Sequence, residues 1–255
     1  MISIIIPTFN EEFTIERALG RLERVRGDFE VIVVDGASTD ATLGRVKAQM
    51  LASARPIRLL SAERHRALQQ NRAAAAARGD VLVFLHADTK VPTDAVEQIN
   101  AALRNQSVIG GNFELIFEGK TWVERFFTWA YRVRRPFGIY YGDSGLFVRR
   151  KVFEAMGGFK PLPIMDDYEF VRRLERRGRT VCLPTSLTTS DRRWRVQGLL
   201  RTLWSWVWIQ TLYSLGVPAR HLARWYQPVR ENRPVEGREP GVKPRATRAA
   251  LPSEK

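Results

Sequence analysis

A single cysteine, Cys182, in 255 residues excludes an intramolecular disulfide framework and fits a reducing compartment. Flanked by Val181 and Leu183, it is expected to be a small core residue. No uninterrupted apolar run reaches the roughly 18 residues that a membrane span requires. The opening MISIIIPTFNEE lacks a basic segment and meets proline and asparagine too soon for a signal peptide. These absences point to the cytoplasm, including the inner face of the membrane. No HExxH, no Cys/His cluster and no GxSxG is present, which leaves zinc hydrolysis and a serine nucleophile unsupported. Acidic residues are the scarcer sign, 27 against 41 Lys and Arg, for a net charge of +14. That excess implies anionic partners: nucleic acid, phosphates or an anionic membrane face. Composition does not choose among them.

What is present is a regular alternation. Ser3–Ile6 reads as a strand closed by Pro7, and Ile15, Ala18, Leu19, Leu22 and Val25 recur at helical spacing. FEVIVV (29–34) is a second strand, ending on the turn-and-cap cluster Asp35–Asp40, and a helix carrying Leu43, Val46 and Met50 follows. Ile57–Leu60 is a third strand, and the alanine-rich stretch from Arg66 to Ala77 is a helix that Gly79 ends. Val81–Leu85 is a fourth strand and Thr93–Leu103 a helix. Such β/α alternation predicts an α/β fold with a mostly parallel sheet covered on both faces. Beyond residue 108 the pattern loosens into a strand with a glycine bulge (108–117), an aromatic and basic helix (122–134) and GDSG (142–145). A strand to Val148, a helix over Asp166–Arg177 and a tryptophan-rich helix over 196–216 complete the pattern, with a short helix near Ala219–Tyr226. From about Pro228 the composition predicts disorder.

In parallel sheets ligands bind beyond the carboxyl ends of the strands. Three polar clusters sit at such ends: Thr8–Asn10, Asp35–Asp40 and His86–Asp88. Asp40, Ser38 or Thr39 suits a helix cap, whereas Asp35, at the strand end, is placed to accept hydrogen bonds from a ligand. His86 and Asp88 lie two residues apart at the end of an apolar strand and so point the same way. Asp88 suits a hard divalent cation, and His86 is a better ligand for Mn²⁺ than for Mg²⁺. Asp166, Asp167 and Glu169 open a helix after a proline-rich loop. They complement the helix N-terminus, or mutual repulsion raises one pKa toward that of a general base.

The ordered segments IIIPTFNEE, VIVVDGASTD, ARGDVLVFLHAD, GDSG and MDDYEFVRRLERRG together resemble a family 2 glycosyltransferase with the GT-A fold, over residues 1–226. FLHADT, GGNFEL and TTSDRRW are most similar to the subgroup of arsenosugar-biosynthesis and radical-SAM/selenodomain-associated glycosyltransferases. The resemblance implies an inverting transfer of a sugar from a nucleotide-diphosphate donor, of UDP or GDP type, to a hydroxyl of a small-molecule or lipid-linked acceptor. It implies a catalytic domain over 1–190, with a nucleotide-sugar half (1–105) and an acceptor half (106–190). An amphipathic Trp/Arg extension (191–227) and the tail (228–255) follow. Pro7, Thr8, Asn10 and Glu11 would line the nucleotide site, Asp35 would contact the base, and Arg66 and Asn71 would fall on the nucleotide side. Asp88 would hold the metal, Mg²⁺ or Mn²⁺, and the diphosphate, and Asp167 would deprotonate the acceptor. Gly142, Asp143 and Asp166 would shape the acceptor side, and Arg192, Arg193 and Trp194 are diphosphate candidates. Two positions depart from the family pattern: Gly36 stands where many members carry a second Asp, and His86 replaces the first Asp of Asp-x-Asp. A neutral imidazole brings less charge than a carboxylate, so metal affinity is expected to fall.

The segments TWVERFFTWAYRVRRPFGIYY and RWRVQGLLRTLWSWVWIQTLYSLGVPARHLARWY interleave rings with arginine. Most rings are expected to pack as core, and some to meet an anionic membrane surface. Three rival readings fit the sequence less well. A nucleotidyltransferase shares a similar sheet but needs a glycine-rich basic loop after its first strand, and TFNEE is neither. A nucleic-acid-binding module would explain the charge, but no RNP, KH, zinc-finger or helix-turn-helix signature supports it, and nucleic acid is not the expected partner. A catalytically inactive relative is the third, raised by His86.

Overall fold

The computed structural model describes residues 1–119, 121–189 and 198–226. Seven strands form one sheet: β1 (Ile2–Thr8), β2 (Phe29–Asp35), β3 (Ile57–Ser61), β4 (Val81–Phe84), β5 (Val108–Phe117), β6 (Leu146–Arg149) and β7 (Arg179–Thr189). Their spatial order is β3-β2-β1-β4-β6-β5-β7. β1 pairs in parallel with β2 and β4, β2 with β3, and β5 with β7. Only β6 runs against its neighbours β4 and β5. The expected mostly parallel sheet is therefore present, and it runs without a break through both proposed halves.

Burial follows the strand period. Ile4, Ile6, Val31 and Val33 enter one apolar cluster, shared with α1 (Ile15–Leu22) and α4 (Ala95–Leu103). Ile5, Ile32 and Val34 enter the other, shared with α3 (Arg66–Ala76), α6 (Arg150–Ala155) and α7 (Asp166–Arg177). Side chains alternate across a strand, so a sheet covered on both faces needs the continuous apolar runs these strands carry. The remaining helices are α2 (Thr42–Ala52), α5 (Trp122–Arg134), α8 (Leu199–Ser214) and α9 (Ala219–Leu222).

The glycine bulge expected in β5 is real. Its register against β7 shifts between Val108 and Gly110, and a Cβ on Gly111 would lie 2.0 Å from the Val181 carbonyl oxygen. β7 itself was not expected from the sequence. Its register skips Pro184 and Thr185, passing from Leu183 opposite Phe113 to Ser186 opposite Glu114, so the proline sits at a bulge on an edge strand. Within β7, Leu183 points to the core and Cys182 points out; Cys182 is an exposed thiol rather than the core residue its neighbours suggested. The tail from 228 lies outside the described residues.

Candidate active site

β1 turns to β2 on one side and pairs with β4 on the other, so the carboxyl ends of β1 and β4 flank a switch in strand order, where open sheets bind ligands. A cavity of about 640 Å³ lies there, within the size range of small-molecule sites. His86 and Asp88, just past β4, form part of its floor, and Asp166 and Asp167 enter from the start of α7. Met165, at φ 62°, is held in the left-handed region, which turns the Leu162–Met165 loop and sets the two aspartates facing the cavity. Asp143 lines it from the 3₁₀ turn Gly142–Ser144. Three of the residues singled out for chemistry, Asp88, Asp143 and Asp167, thus converge on one space.

The charges are unevenly paired. The Arg66 guanidinium is bidentate on Asp166 and lies 3.3 Å from Asp167 Oδ1. Arg66 and Asp166, expected on the nucleotide and acceptor sides, are therefore each other's partners. Asp167 also accepts the backbone N–H of Gly142 at 2.9 Å and that of Tyr168 at 2.8 Å. Burial pushes its carboxyl up, but Arg66 and these two N–H groups outweigh it and hold Asp167 below the ordinary carboxylate value. The expectation that repulsion raises an α7 acid is thus corrected: Asp167 is stabilised as the anion, and Glu169 is drawn away by Lys160 and Arg173.

The raised acid is Asp143. Burial first, and the Asp167 charge second, push its carboxyl up to about 7, although Tyr131 donates a hydrogen bond to Oδ2 at 3.1 Å. Its Oδ1 is buried without a hydrogen-bond partner among the described residues. His86 Nε2 is a second such orphan, and a Cβ on Gly142 would lie 3.5 Å from it and 3.1 Å from Asp167 Oδ2. Burial and Arg66 lower the His86 pKa, so the ring is a neutral imidazole. Among the described residues no three His, Cys, Asp or Glu side chains form a ligand cluster. The donor set still suits a hard divalent cation. A carboxylate and an unpartnered imidazole nitrogen face one space, and phosphate oxygens of a ligand would complete the shell.

The other expected donor contacts are engaged elsewhere. Asp35 is buried and accepts Ser38 N–H at 2.8 Å, the Ser38 hydroxyl at 2.5 Å and the Thr8 hydroxyl at 3.3 Å, so it organises its own turn. Asn10 accepts Thr39 N–H at 2.9 Å, and Glu11 N–H donates to Thr42 Oγ1 at 2.8 Å. These contacts lace the β1–α1 loop to the β2–α2 loop, and Pro7, Thr8, Asn10, Glu11 and Asp35 do not reach the cavity wall. Asp40 accepts Thr42 N–H at 3.0 Å from one residue outside the helix, whose N-cap is Ala41 rather than the expected Ser38, Thr39 or Asp40. Asn71 is brought elsewhere: its amide both donates to and accepts from the Phe159 backbone, at 2.8 and 2.9 Å, tying α3 to the loop after α6. Arg192, Arg193 and Trp194 lie outside the described residues.

Sequence reasoning missed several wall residues. Gln69 lines the cavity while donating from one amide nitrogen to the Thr8 and Val34 carbonyls, both at 2.8 Å. A Cβ on Gly36 would lie 2.9 Å from that nitrogen, so glycine at this position makes room for Gln69. Phe9 lines the wall beneath Arg64, whose guanidinium stacks 4.1 Å from the ring centroid. Trp206, Ile209 and Gln210 close the cavity from α8, which the sequence marked only as an aromatic extension.

Known proteins fit this architecture. The mannosyltransferase PcManGT from Pyrobaculum calidifontis, solved with GDP-Man and Mn²⁺, is similar with a TM-score of 0.68 at 21% identity, over 88% of this chain and 68% of that one. S. aureus TarS 1–349 with UDP-GlcNAc gives 0.62 at 18% identity, over 75% and 58%. Glucosyl-3-phosphoglycerate synthase from Mycobacterium tuberculosis, with Mn²⁺, UDP and phosphoglyceric acid, gives 0.58 at 21%, over 86% and 79%. At these identities the likeness shows the fold, GT-A. In sequence, the dolichol-phosphate mannosyltransferase of Pyrococcus furiosus is 32% identical over 123 residues, 47% of this chain and 34% of that protein. The uncharacterized protein MT1568 of M. tuberculosis is 34% identical over 112 residues, 42% and 34% of the two chains. Each match thus spans about a third of the curated relative's length. Residues 3–157, more than half of the chain, match the family described as Glycosyl transferase family 2, and on that match the chain belongs to it.

Proposed function

We propose that the chain is an inverting glycosyltransferase that moves a sugar from a nucleoside-diphosphate donor to an acceptor hydroxyl. Family membership and the bound nucleotides of its structural neighbours support sugar transfer and a UDP- or GDP-type donor. The observation that carries the residue assignment is that Asp88 and Asp167 face one cavity from opposite elements, the β4 end and the α7 start. Residues 1–105 would supply the donor side and 106–190 the acceptor side.

In this reading the donor diphosphate lies against Asp88 and His86, with Arg64 and Arg134 on the wall to meet its charge. A divalent cation held by Asp88 and His86, together with phosphate oxygens, would neutralise the departing diphosphate. Asp167 accepts the proton of the acceptor hydroxyl as its oxygen bonds to the anomeric carbon. The bond from that carbon to the diphosphate oxygen breaks on the opposite face, and the nucleoside diphosphate leaves with the bonding pair. A carboxylate held ionised is ready to accept that proton; it need not be a strong base, because the hydroxyl grows more acidic as the new bond forms. Gly142 and Tyr168, through their N–H groups, fix the rotamer of Asp167. Resemblance to the arsenosugar-biosynthesis and radical-SAM/selenodomain-associated subgroup supports a small-molecule acceptor, and the aromatic helices beside the cavity leave room for a lipid-linked one. Asp167→Asn is expected to abolish transfer while donor binding by calorimetry stays within about threefold. Unchanged turnover would remove Asp167 from the role.

A further inference from the structure

Large apolar side chains exposed to solvent are not scattered over this molecule. Of the fourteen among the described residues, nine fall on α5, α8 and the turns that follow them. On α5, Trp122 (70% exposed), Phe126, Trp129 (58%) and Val133 recur at steps of four, three and four, which puts them on one face about 60° wide. On α8, Trp204 (70% exposed) and Trp208 form a second stripe of the same kind, continued by Leu215 (76%) at the C-cap and with Val207 at its margin. The opposite faces are the packed ones: Phe127 of α5 meets Trp206 of α8 with ring centroids 5.3 Å apart. The two helices are thus joined through their inner rings, and each keeps an outer stripe of rings that is exposed among the described residues.

The charge on these elements has one sign. Residues 121–137 and 198–226 contain seven arginines and a single acid, Glu124. Glu124 is buried in the capping box with Thr121. Arg125, Arg201, Arg220 and Arg224 are exposed, while Arg132 pairs with Glu114. Rings on one face with arginines along its flanks are the composition of a segment that lies in a lipid interface, where indoles sit among headgroups and guanidinium groups meet lipid phosphates. A second copy of the chain is a poorer occupant, since a self-complementary contact would set arginine against arginine with no exposed acid between them. A single-stranded nucleic acid would use ring stacking, but it gives no reason for Val133, Val207 and Leu215 to share the stripes. No described helix is long and apolar enough to cross a membrane, so the contact is with the surface.

We propose that the outer faces of α5 and α8 dock the protein on an anionic lipid bilayer, with the Trp122–Trp129 and Trp204–Trp208 stripes in the headgroup layer. This does not depend on the sugar-transfer reading. It does place the cavity next to the lipid, since Tyr131 and Arg134 of α5 and Trp206 and Gln210 of α8 line it from the same two helices. The test is sedimentation of the full chain with vesicles of phosphatidylcholine, alone or mixed with phosphatidylglycerol, at low and high salt. The mixed vesicles are expected to bind it at least about tenfold more tightly than the neutral ones, and salt to weaken the binding. The variant Trp129→Ser/Trp204→Ser/Trp208→Ser should lose about tenfold or more while its circular dichroism and melting temperature stay those of the parent. Quenching of the parent's tryptophan emission by brominated lipids gives the same answer without any variant. Absence of vesicle binding would overturn the proposal, as would binding that the tryptophan variant leaves unchanged or that brominated lipid does not quench. Lipid-free dimerisation, or tight oligonucleotide binding, that the tryptophan variant abolishes would overturn it in favour of those occupants.

Discussion

Asp143 gives the sharpest quantitative test of the site's electrostatics. Its carboxyl is pushed from an ordinary 3.8 up to about 7, by burial and then by the Asp167 charge. A displacement of that size corresponds to roughly 4 kcal/mol, and partial solvent access reduces it to about 2 kcal/mol. The sign follows from linkage. The folded state holds the proton more tightly than the unfolded chain, so Asp143 contributes its stability below about pH 4 and loses it as pH rises through about 7. Asp143→Asn keeps the acceptor for the Tyr131 hydroxyl but cannot ionise. Unfolding free energies of parent and variant from urea denaturation should therefore nearly coincide near pH 4 and diverge by about 2 kcal/mol at pH 8, with the variant the more stable. In melting temperature that is about 5 °C for a chain of this size. Chelator in the buffer keeps stray cations from lowering the pKa, and subtracting the two pH profiles cancels every group they share. Parallel profiles would refute the reasoning, because they would mean that neither burial nor the Asp167 charge holds the proton on Asp143.

Glu30 works in the opposite direction. It is a buried residue of β2 and accepts the Ser3 hydroxyl at 2.7 Å and the Arg78 N–H at 2.6 Å, and these with Arg58 outweigh burial and lower its pKa. Its contribution is present above about pH 4.5 and lost as pH falls below that, so Glu30→Gln should cost about 1–3 kcal/mol at pH 7 and little near pH 3, read by chemical denaturation. His86→Asp restores a second carboxylate beside Asp88. It should tighten Mn²⁺ binding in the presence of a nucleoside diphosphate by about tenfold, measured by calorimetry, and an unchanged affinity would remove His86 from the cation's surroundings.

The donor half of the fold was largely legible in the sequence, because its strands are short apolar runs ending on polar clusters and its helices have plain periodicity. β1 to β4 and α7 stand where that pattern put them. β7 escaped because Pro184 and a run of Thr and Ser read as loop, and only pairing with the bulged β5 makes it a strand. At the site, Asp88, Asp143 and Asp167 converge as the strand-end rule and the family resemblance implied. Their protonation did not follow the sequence reading, since Asp143 is raised while Asp167 is lowered. That difference rests on contacts far apart in the chain: Arg66 lies 100 residues from Asp166, and Tyr131 twelve from Asp143. Asn71 and Asp35 illustrate the converse. The partners they hold in the fold, Phe159 for Asn71 and Ser38 for Asp35, were not legible in the sequence.

The central claim is that Asp88 and Asp167 bound a cavity that holds a nucleoside-diphosphate sugar. Titrating GDP- and UDP-sugars with Mn²⁺ into the parent chain and into Asp88→Asn tests it directly. The account predicts saturable one-to-one binding of at least one donor, weakened about tenfold or more in the variant. Binding of no nucleotide sugar, or binding that is indifferent to Asp88→Asn, would contradict it.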